Sequence, residues 1–349
     1  MLSSGDLLFI NKKLGPIFSN SAVVQKIDGG DVNEAYVVNS VRERYFIKKI
    51  ALDESATRHS LDDNLIANSI RFSEIIARQM SFTGRTVSAL MMGDDCLLNV
   101  GGSVLTVYPF ADGRMRDGVE ISSDMVQEIA LFLTQLHRSP LNIEREFAEK
   151  KVAHYKEIGE VIIDSPAWKV VRALTHKSYV FPSLNIASDY IIKNKNKLSF
   201  AVNHLSGDGV CHNDLKPKNV LWGSDHKFWV IDWDAAGLFD VSADYLDTLL
   251  AWCTVYENGK LSLDSEKVKV FYKAYPPIGL DKIENSVSIV LVKWYFWLAM
   301  CLKNTFLFKG KWKRNLWNIH YASEFIASLI DGRFIERLLF LHQPSALAK

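Results

Sequence analysis

The chain has 349 residues, of which 48% are hydrophobic and 23% charged. That is ordinary globular composition and excludes a wholly disordered chain, which needs low hydrophobicity and high net charge. The formal net charge of +1 provides no global basic field of the kind nucleic-acid binding uses, and the length predicts two domains or two lobes.

The first hundred residues read mainly as strands. Ala22–Ile27, Ala35–Val38 and Tyr45–Ile50 are short runs rich in β-branched and aromatic residues. They are bounded by turn chemistry such as Asp28-Gly29-Gly30-Asp31. Leu61–Met80 has Leu65, Ile66, Ile70, Ile75 and Ile76 at a helical period, with Arg71, Glu74 and Arg78 elsewhere on the cylinder. Cys96–Leu98 and Val104–Tyr108 read as two more strands around Gly101-Gly102. Pro109–Gly113 breaks this pattern, and helices follow: Met125–His137, Tyr245–Trp252, Val268–Tyr272, Ile289–Leu302, and Phe325–Leu339 interrupted at Asp331-Gly332. Lys193–Lys197 reads as a solvated loop. The expectation is an α+β chain in two parts: a mostly antiparallel-sheet lobe with one helix over residues 1–108, and a larger, mainly helical lobe over 109–349. Ile289–Leu302 is shorter than the ~20 residues of a membrane span, so a buried helix is expected and no membrane partner. Cys96, Cys211, Cys253 and Cys301 form no CxxC pair. Neither a zinc site nor a disulfide framework is expected; a reducing cytoplasm is. The N-terminus MLSSGDLLFINKK does not read as a signal peptide.

The informative stretch is Val210–Leu249. Asn219–Trp222 and Lys227–Ile231 are apolar runs around the turn-like Gly223-Ser224-Asp225-His226, which predicts a β-hairpin centred near residue 225. Folding it there sets Asn219 opposite Ile231 and Asp232. An amide oxygen and a carboxylate at one point suit Mg²⁺, which completes its shell with water and phosphate oxygens. Asp214 lies five residues before Asn219, near the metal without being a ligand, where a carboxylate accepts a proton from an attacking hydroxyl or orients it. Lys216 is within reach of a transferred phosphoryl group. Metal ligands, a base and a cation are the parts phosphoryl transfer requires.

His212-Asn213-Asp214-Leu215-Lys216-Pro217-Lys218-Asn219 matches the H-x-D-x-x-x-x-N loop of the kinase superfamily, with Asp232 following Asn219 by 13 residues. Ile231-Asp232-Trp233-Asp234 resembles the I-D-W-[DE] signature of the aminoglycoside phosphotransferase and choline kinase family rather than the D-F-G of protein kinases. Leu136-His137 before Ser139-Pro140 resembles that family's L-H-x-x-P element. Asp240 and Asp244 resemble its G-D-P-x-x-D segment, with departures at Leu238, Phe239 and Val241.

The resemblance implies a bilobal protein-kinase-like fold that binds Mg²⁺ with ATP or GTP between its lobes. It implies Asp214 as the catalytic carboxylate, Asn219 and Asp232 as metal ligands, Asp234 as a helper at the second metal, and Asp244 as a brace for the loop. It also implies Lys48 as the strand lysine on the nucleotide phosphates and Glu74 as its ion-pair partner. Gly29 and Gly30 would lie in a phosphate-covering loop, and Val107 and Tyr108 in the interlobe strand whose backbone meets the purine. Each position also has a structural reading: Asn and Asp are routine turn residues, Lys48 and Glu74 can be solvated charges, and His137 can interact with a helix dipole.

The resemblance implies a phosphoryl acceptor that is a hydroxyl-bearing small molecule, antibiotic or metabolite, with no nucleic-acid partner; the oligomeric state is not legible. Residues 206–249 hold eight Asp against three Lys, while 303–314 carries Lys303, Lys309, Lys311, Lys313 and Arg314 with no acid. That stretch is a solvated face or a hint of a neutral or anionic acceptor. Trp294-Tyr295-Phe296-Trp297 is either core or a surface that stacks on a sugar or cages a quaternary ammonium. Two rival readings remain: a protein Ser/Thr kinase-like enzyme, and a non-catalytic nucleotide-binding scaffold.

Overall fold

The computed structural model describes the chain except residues 1, 20–21, 28–33, 41–42, 53–62, 141, 177–180, 226, 258–259, 308–311 and 343–349. Gly29, Gly30, Lys309 and Lys311 lie outside the described residues. The chain divides into two compact units. The first comprises Met1–Arg116, Leu141–Phe147 and Lys218–Gly237; the second comprises Asp117–Pro140, Ala148–Pro217 and Leu238–Lys349.

The first unit is built on a five-stranded antiparallel sheet of β1 (Val23–Ile27), β2 (Glu34–Asn39), β3 (Arg44–Ala51), β4 (Leu98–Val100) and β5 (Ser103–Pro109), in the order β1-β2-β3-β5-β4. Side-chain alternation gives the sheet two apolar faces. Tyr36, Val38, Tyr45, Ile47, Leu105 and Val107 form one, packed with Leu2, Phe18 and Ile10 of α1 (Ser4–Leu14). Ile50 and Val104 belong to the other, packed with Ile66, Ala67 and Ile70 of α2 (Asp63–Gln79). The sheet thus carries α1 in addition to the one helix expected. A capping box starts α1: the Ser3 hydroxyl accepts from the Asp6 amide at 3.1 Å, and the Asp6 carboxylate accepts from the Ser3 amide at 2.8 Å.

The hairpin of β7 (Val220–Trp222) and β8 (Phe228–Val230) belongs to this unit as well. Its register pairs Val220 with Val230, and the Ile231 amide donates to the Asn219 carbonyl at 3.0 Å, as folding about residue 225 requires. Backbone bonds attach it to the rest of the unit. The Val230 amide donates to the Arg85 carbonyl at 2.7 Å, and Arg114 and Trp222 exchange amide–carbonyl bonds of 3.0 and 2.9 Å. A side chain at Gly113 would bring a Cβ to 3.0 Å from the Trp222 backbone, so glycine permits that approach.

The second unit is mainly helical: α3 (Ser123–Arg138), α4 (Arg145–Asp164), α5 (Ala167–Thr175), α6 (Pro182–Lys193), α7 (Lys195–Asn203), α8 (Val241–Cys253), α9 (Ser265–Ala274), α10 (Leu280–Leu307), α11 (Trp312–Ile330) and α12 (Arg333–His342). Two short ladders accompany them, β6 (Gly209–Cys211) with β9 (Gly237–Phe239) and β10 (Thr254–Glu257) with β11 (Lys260–Leu263). Residues 193–197 are not the expected loop. They close α6 and open α7 across Asn194, because Leu198, Ala201 and Val202 are buried and draw the segment into a helix. The break expected at Asp331-Gly332 separates α11 from α12, with Gly332 at φ +80°. The central helix α8 is buried at Leu246, Leu249, Leu250 and Trp252. Helix α10 is long and apolar enough to cross a membrane by composition alone. Its Ile289, Val290, Leu291, Tyr295 and Leu298 are nonetheless buried inside the unit, which marks a core helix. The four cysteines are buried thiols.

Leu105 is fully buried on the α1 face of the sheet, opposite Lys49 in β3 and Leu98 in β4. Leu105→Ala is expected to destabilise the protein by about 2–5 kcal/mol through lost burial and the cavity left behind. Urea denaturation checks this as a lowered midpoint at unchanged slope.

Candidate active site

Strand alternation places Phe46, Lys48 and Ile50 on the α2 face of the sheet. From β3 the Lys48 Nζ lies 2.8 Å from Asp232 Oδ1 and 2.5 Å from Asp234 Oδ2. Burial alone would depress its pKa, but the two carboxylates outweigh that and hold it well above the ordinary lysine value. Lys48 is therefore charged at every physiological pH. Asp232 and Asp234 stay partly open to solvent, with side chains 44% and 38% exposed.

The Ile231–Asp234 segment presents these carboxylates through a local backbone device. Asp232 has φ +60°, a left-handed conformation uncommon outside glycine, which costs roughly 1–2 kcal/mol. Trp233 is buried and donates its indole N–H to the Val230 carbonyl at 3.3 Å, which anchors the turn. Asp232 and Asp234 flank this anchor. The Ser73 hydroxyl of α2 donates to the Asp234 carbonyl at 3.2 Å and fixes the turn to the helix. Asn219, 4% exposed, closes the head of the hairpin opposite Ile231. Asp232 and Asp234, two partly solvated carboxylates brought to one ammonium, are hard-oxygen donors of the type that fits Mg²⁺, and Asn219 at the hairpin head is of the same donor type.

The expected Lys48–Glu74 ion pair is not formed. Glu74 of α2 accepts the Tyr108 hydroxyl at 2.7 Å and the Ala89 amide at 2.7 Å, while Lys48 takes the two aspartates. Burial pushes the Glu74 carboxyl above its usual pKa. Val107 and Tyr108 sit in β5 opposite Ile47 and Phe46. The Val107 carbonyl accepts the Leu90 amide at 2.7 Å, which ties β5 to the segment after α2.

The second unit holds the loop His212–Lys216. Its anchor is Asp244 on α8, 1% exposed. Its two oxygens accept the Asn213 amide at 3.0 Å, the His212 amide at 3.3 Å and the His137 Nε2 at 3.0 Å, and Tyr275 hydrogen-bonds the other ring nitrogen of His137 at 3.1 Å. Burial pushes the Asp244 pKa up, but the bond and charge of His137, with Lys293 and His212, outweigh it and leave the carboxyl below its ordinary value. Two turns further along α8, the Trp252 indole N–H donates to the Leu215 carbonyl at 2.9 Å. Asn213 takes φ +63°, which asparagine tolerates better than most residues. So held, the loop carries Asp214, whose Oδ1 lies 3.0 Å from Lys216 Nζ. Burial acts to lower the Lys216 pKa, but Asp214 and Asp247 raise it above the ordinary lysine value.

Sequence reasoning missed a further set. Asp247, three residues after Asp244, accepts Lys293 Nζ at 2.7 Å and the Trp294 indole N–H at 3.1 Å. Lys216 Nζ stands 4.8 Å from the Trp294 ring centroid. The Asp244/Asp247 spacing was visible in the sequence; the partners on α10 come from almost fifty residues away.

Residues 23–259 match the model of APH, the phosphotransferase enzyme family. That is more than half of the chain. The chain belongs to the phosphotransferase enzyme family. No curated protein matches its sequence. Among solved structures it is similar to a spectinomycin phosphotransferase in complex with ADP and spectinomycin, at 16% identity and TM-score 0.57, over 90% of this chain and 93% of that one. It is also similar to a choline kinase from Streptococcus pneumoniae, at 15% identity and TM-score 0.54, over 90% and 99%. A third is the GDP and kanamycin complex of another APH, at 15% identity and TM-score 0.52, over 95% and 100%. At these identities the likeness is one of fold. It agrees with an antiparallel-sheet lobe followed by a mainly helical one, the kinase-like architecture that the phosphotransferase family uses.

Because the Asp244 pKa is depressed in the folded protein, its contribution to stability is present above the unfolded value of about 3.9 and is lost as pH falls through the folded value. Asp244→Asn is expected to remove that acid-side dependence and to cost stability at pH 7. Denaturation midpoints of both proteins between pH 2 and 7 check this; parallel curves would contradict it.

Proposed function

We propose that this small-molecule phosphotransferase moves the γ-phosphoryl group of ATP or GTP to an acceptor hydroxyl, with Mg²⁺ as cofactor, in the cytoplasm. The observation that carries the reading is Lys48 bonded at once to Asp232 and Asp234, in a chain whose family model covers both segments. The ADP and GDP bound by two of the similar structures support a nucleotide donor.

In this reading Asp232, Asn219 and Asp234 hold the metal, which supplies charge neutralisation to the phosphates. Lys48 is permanently cationic and neutralises donor phosphate oxygens. Asp214 takes or orients the proton of the attacking hydroxyl, and Lys216 contacts the transferred group. Asp244, His137 and Trp252 are positioning residues that hold the loop backbone still. Little covalent chemistry falls to the protein, so orientation and electrostatic clamping supply most of the rate. Glu74, held by Tyr108 and Ala89, acts as a brace for α2.

Asp214→Ala is expected to lower acceptor-dependent turnover by about 10²–10⁴-fold while nucleotide binding survives. EDTA is expected to abolish turnover, and excess Mg²⁺ to restore it. A coupled nucleotide-consumption assay with aminoglycosides, choline, ethanolamine and sugars as acceptors reads both effects. Unchanged turnover in the Asp214 variant sinks the mechanism.

A further inference from the structure

Trp294 is 6% exposed and lies on α10, beyond the residues 23–259 that match the family model. The plain role of such a tryptophan is to fill space in the core. Its surroundings fix more than its volume. The indole N–H donates to Asp247 Oδ1 at 3.1 Å, and Lys293 Nζ holds the other oxygen of that carboxylate at 2.7 Å. Phe325 stacks on the ring at 3.9 Å and 18° and covers one face. The ring plane is therefore set, and the Lys216 ammonium stands over the remaining face, 4.8 Å from the centroid. Asp214 Oδ1 lies 3.0 Å from the same nitrogen. The side chains of Lys216 and Asp214 are 25% and 23% exposed, so a ligand can reach both.

A lysine stem is flexible, and holding its charge in one place needs more than one contact. The ammonium has three N–H donors. One serves Asp214, and the ring face attracts the charge without claiming a directed bond, so a donor remains for a phosphoryl oxygen while both contacts persist. The two contacts differ in one respect. Asp214 loses its charge when it takes the acceptor proton, and its pull on Lys216 weakens at that moment. The quadrupole of the indole does not change with the proton.

We propose that Trp294 is a positioning residue that keeps Lys216 on the transferred phosphoryl group while Asp214 is neutralised. The inference rests on the assignment of Lys216 to that group. The acceptor oxygen bonds to the γ-phosphorus, and the bond from that phosphorus to the bridging oxygen breaks. The electron pair leaves with the nucleoside diphosphate, and the hydroxyl proton passes to Asp214. Lys216 stays over the indole throughout.

The test needs no acceptor. Calorimetry on the full chain with Mg²⁺ compares ADP with β,γ-methylene-ATP, and GDP with β,γ-methylene-GTP; the difference within a pair isolates contacts to the γ-phosphoryl group. Trp294→Met, which fills apolar space without a π face, is expected to weaken the triphosphate about fivefold and leave the diphosphate unchanged. Lys216→Gln is expected to weaken the triphosphate about tenfold, and Trp294→Met added to it to cost nothing further. A tryptophan that only fills space would weaken both nucleotides alike or add its full effect to Lys216→Gln. Either result overturns the inference, as does an unchanged triphosphate affinity in Trp294→Met. A second measurement leaves Trp294 intact. In the reductively methylated protein the Lys216 methyl signal, identified by its loss in Lys216→Arg, is expected to show the upfield ring-current shift of a group over an indole. It is expected to keep that shift when Mg²⁺ and the triphosphate analogue are added; its return to the ordinary lysine position overturns the inference. If Lys216→Gln itself does not separate the two nucleotides, the assignment of Lys216 falls and the inference with it. If it does and Trp294→Met does not, the inference alone falls, so the two failures are distinguishable.

Discussion

A buried carboxylate is costly unless its oxygens are filled, and Asp244 fills them with two loop amides and an imidazole. The direction of dependence is clear from the chain. The loop His212–Lys216 is short and has no regular structure of its own, and Asn213 stands in a conformation that an unsupported peptide avoids. Two amides drawn onto one carboxylate impose that conformation, and the Trp252 indole repeats the anchoring at Leu215. Tyr275 fixes His137 in turn, so the constraint extends through three layers of side chains before it meets ordinary apolar packing. The geometry of Asp214 is thus inherited from α8, a helix buried along almost its whole surface.

The hairpin obeys a different economy. Its position is set by main-chain bonds, to Arg85 and to Arg114, and by a glycine that lets two backbones approach. Its chemistry is set by one buried tryptophan between two aspartates. Trp233 goes inward, so its neighbours on either side go outward, and the left-handed Asp232 makes the reversal possible in three residues. Lys48 then meets both carboxylates from a strand whose alternation already points it that way.

What was legible in the sequence was local. The hairpin register followed from two apolar runs and a turn, and it placed Asn219 opposite Ile231 to the residue. Four of the five sheet strands, α2 and the break at Gly332 followed from period and punctuation in the same way; the strand expected at Cys96–Leu98 instead lies at Leu98–Val100, because Cys96 and Leu97 are buried in the α2-side core ahead of the tight turn at Gly101-Gly102. Lys48 was separable from Lys49 because strand neighbours face opposite sides, and Lys49 indeed turns to Asp6 on α1. What was not legible was tertiary choice. Nothing near Glu74 announces that Tyr108 and Ala89 would claim it, and nothing near Lys216 announces Trp294. The 193–197 run shows the converse error: its lysines look solvated, yet the apolar residues just after them decide the helix. For the same reason Trp294-Tyr295-Phe296-Trp297 divides its duties. Tyr295 is wholly interior, its hydroxyl bonded to the Ala187 carbonyl, whereas Trp294 touches the charged loop.

The small helix α1 has a practical bearing on how the protein is handled. It lies over the sheet face that Tyr36, Val38, Ile47 and Leu105 share, with Ile10 fully enclosed. Trimming the first eighteen residues to tidy an expression clone would strip that cover and leave a continuous apolar sheet face in water, a surface of the kind that drives self-association. Loss of solubility after such a truncation would report an uncovered face rather than a damaged catalytic loop.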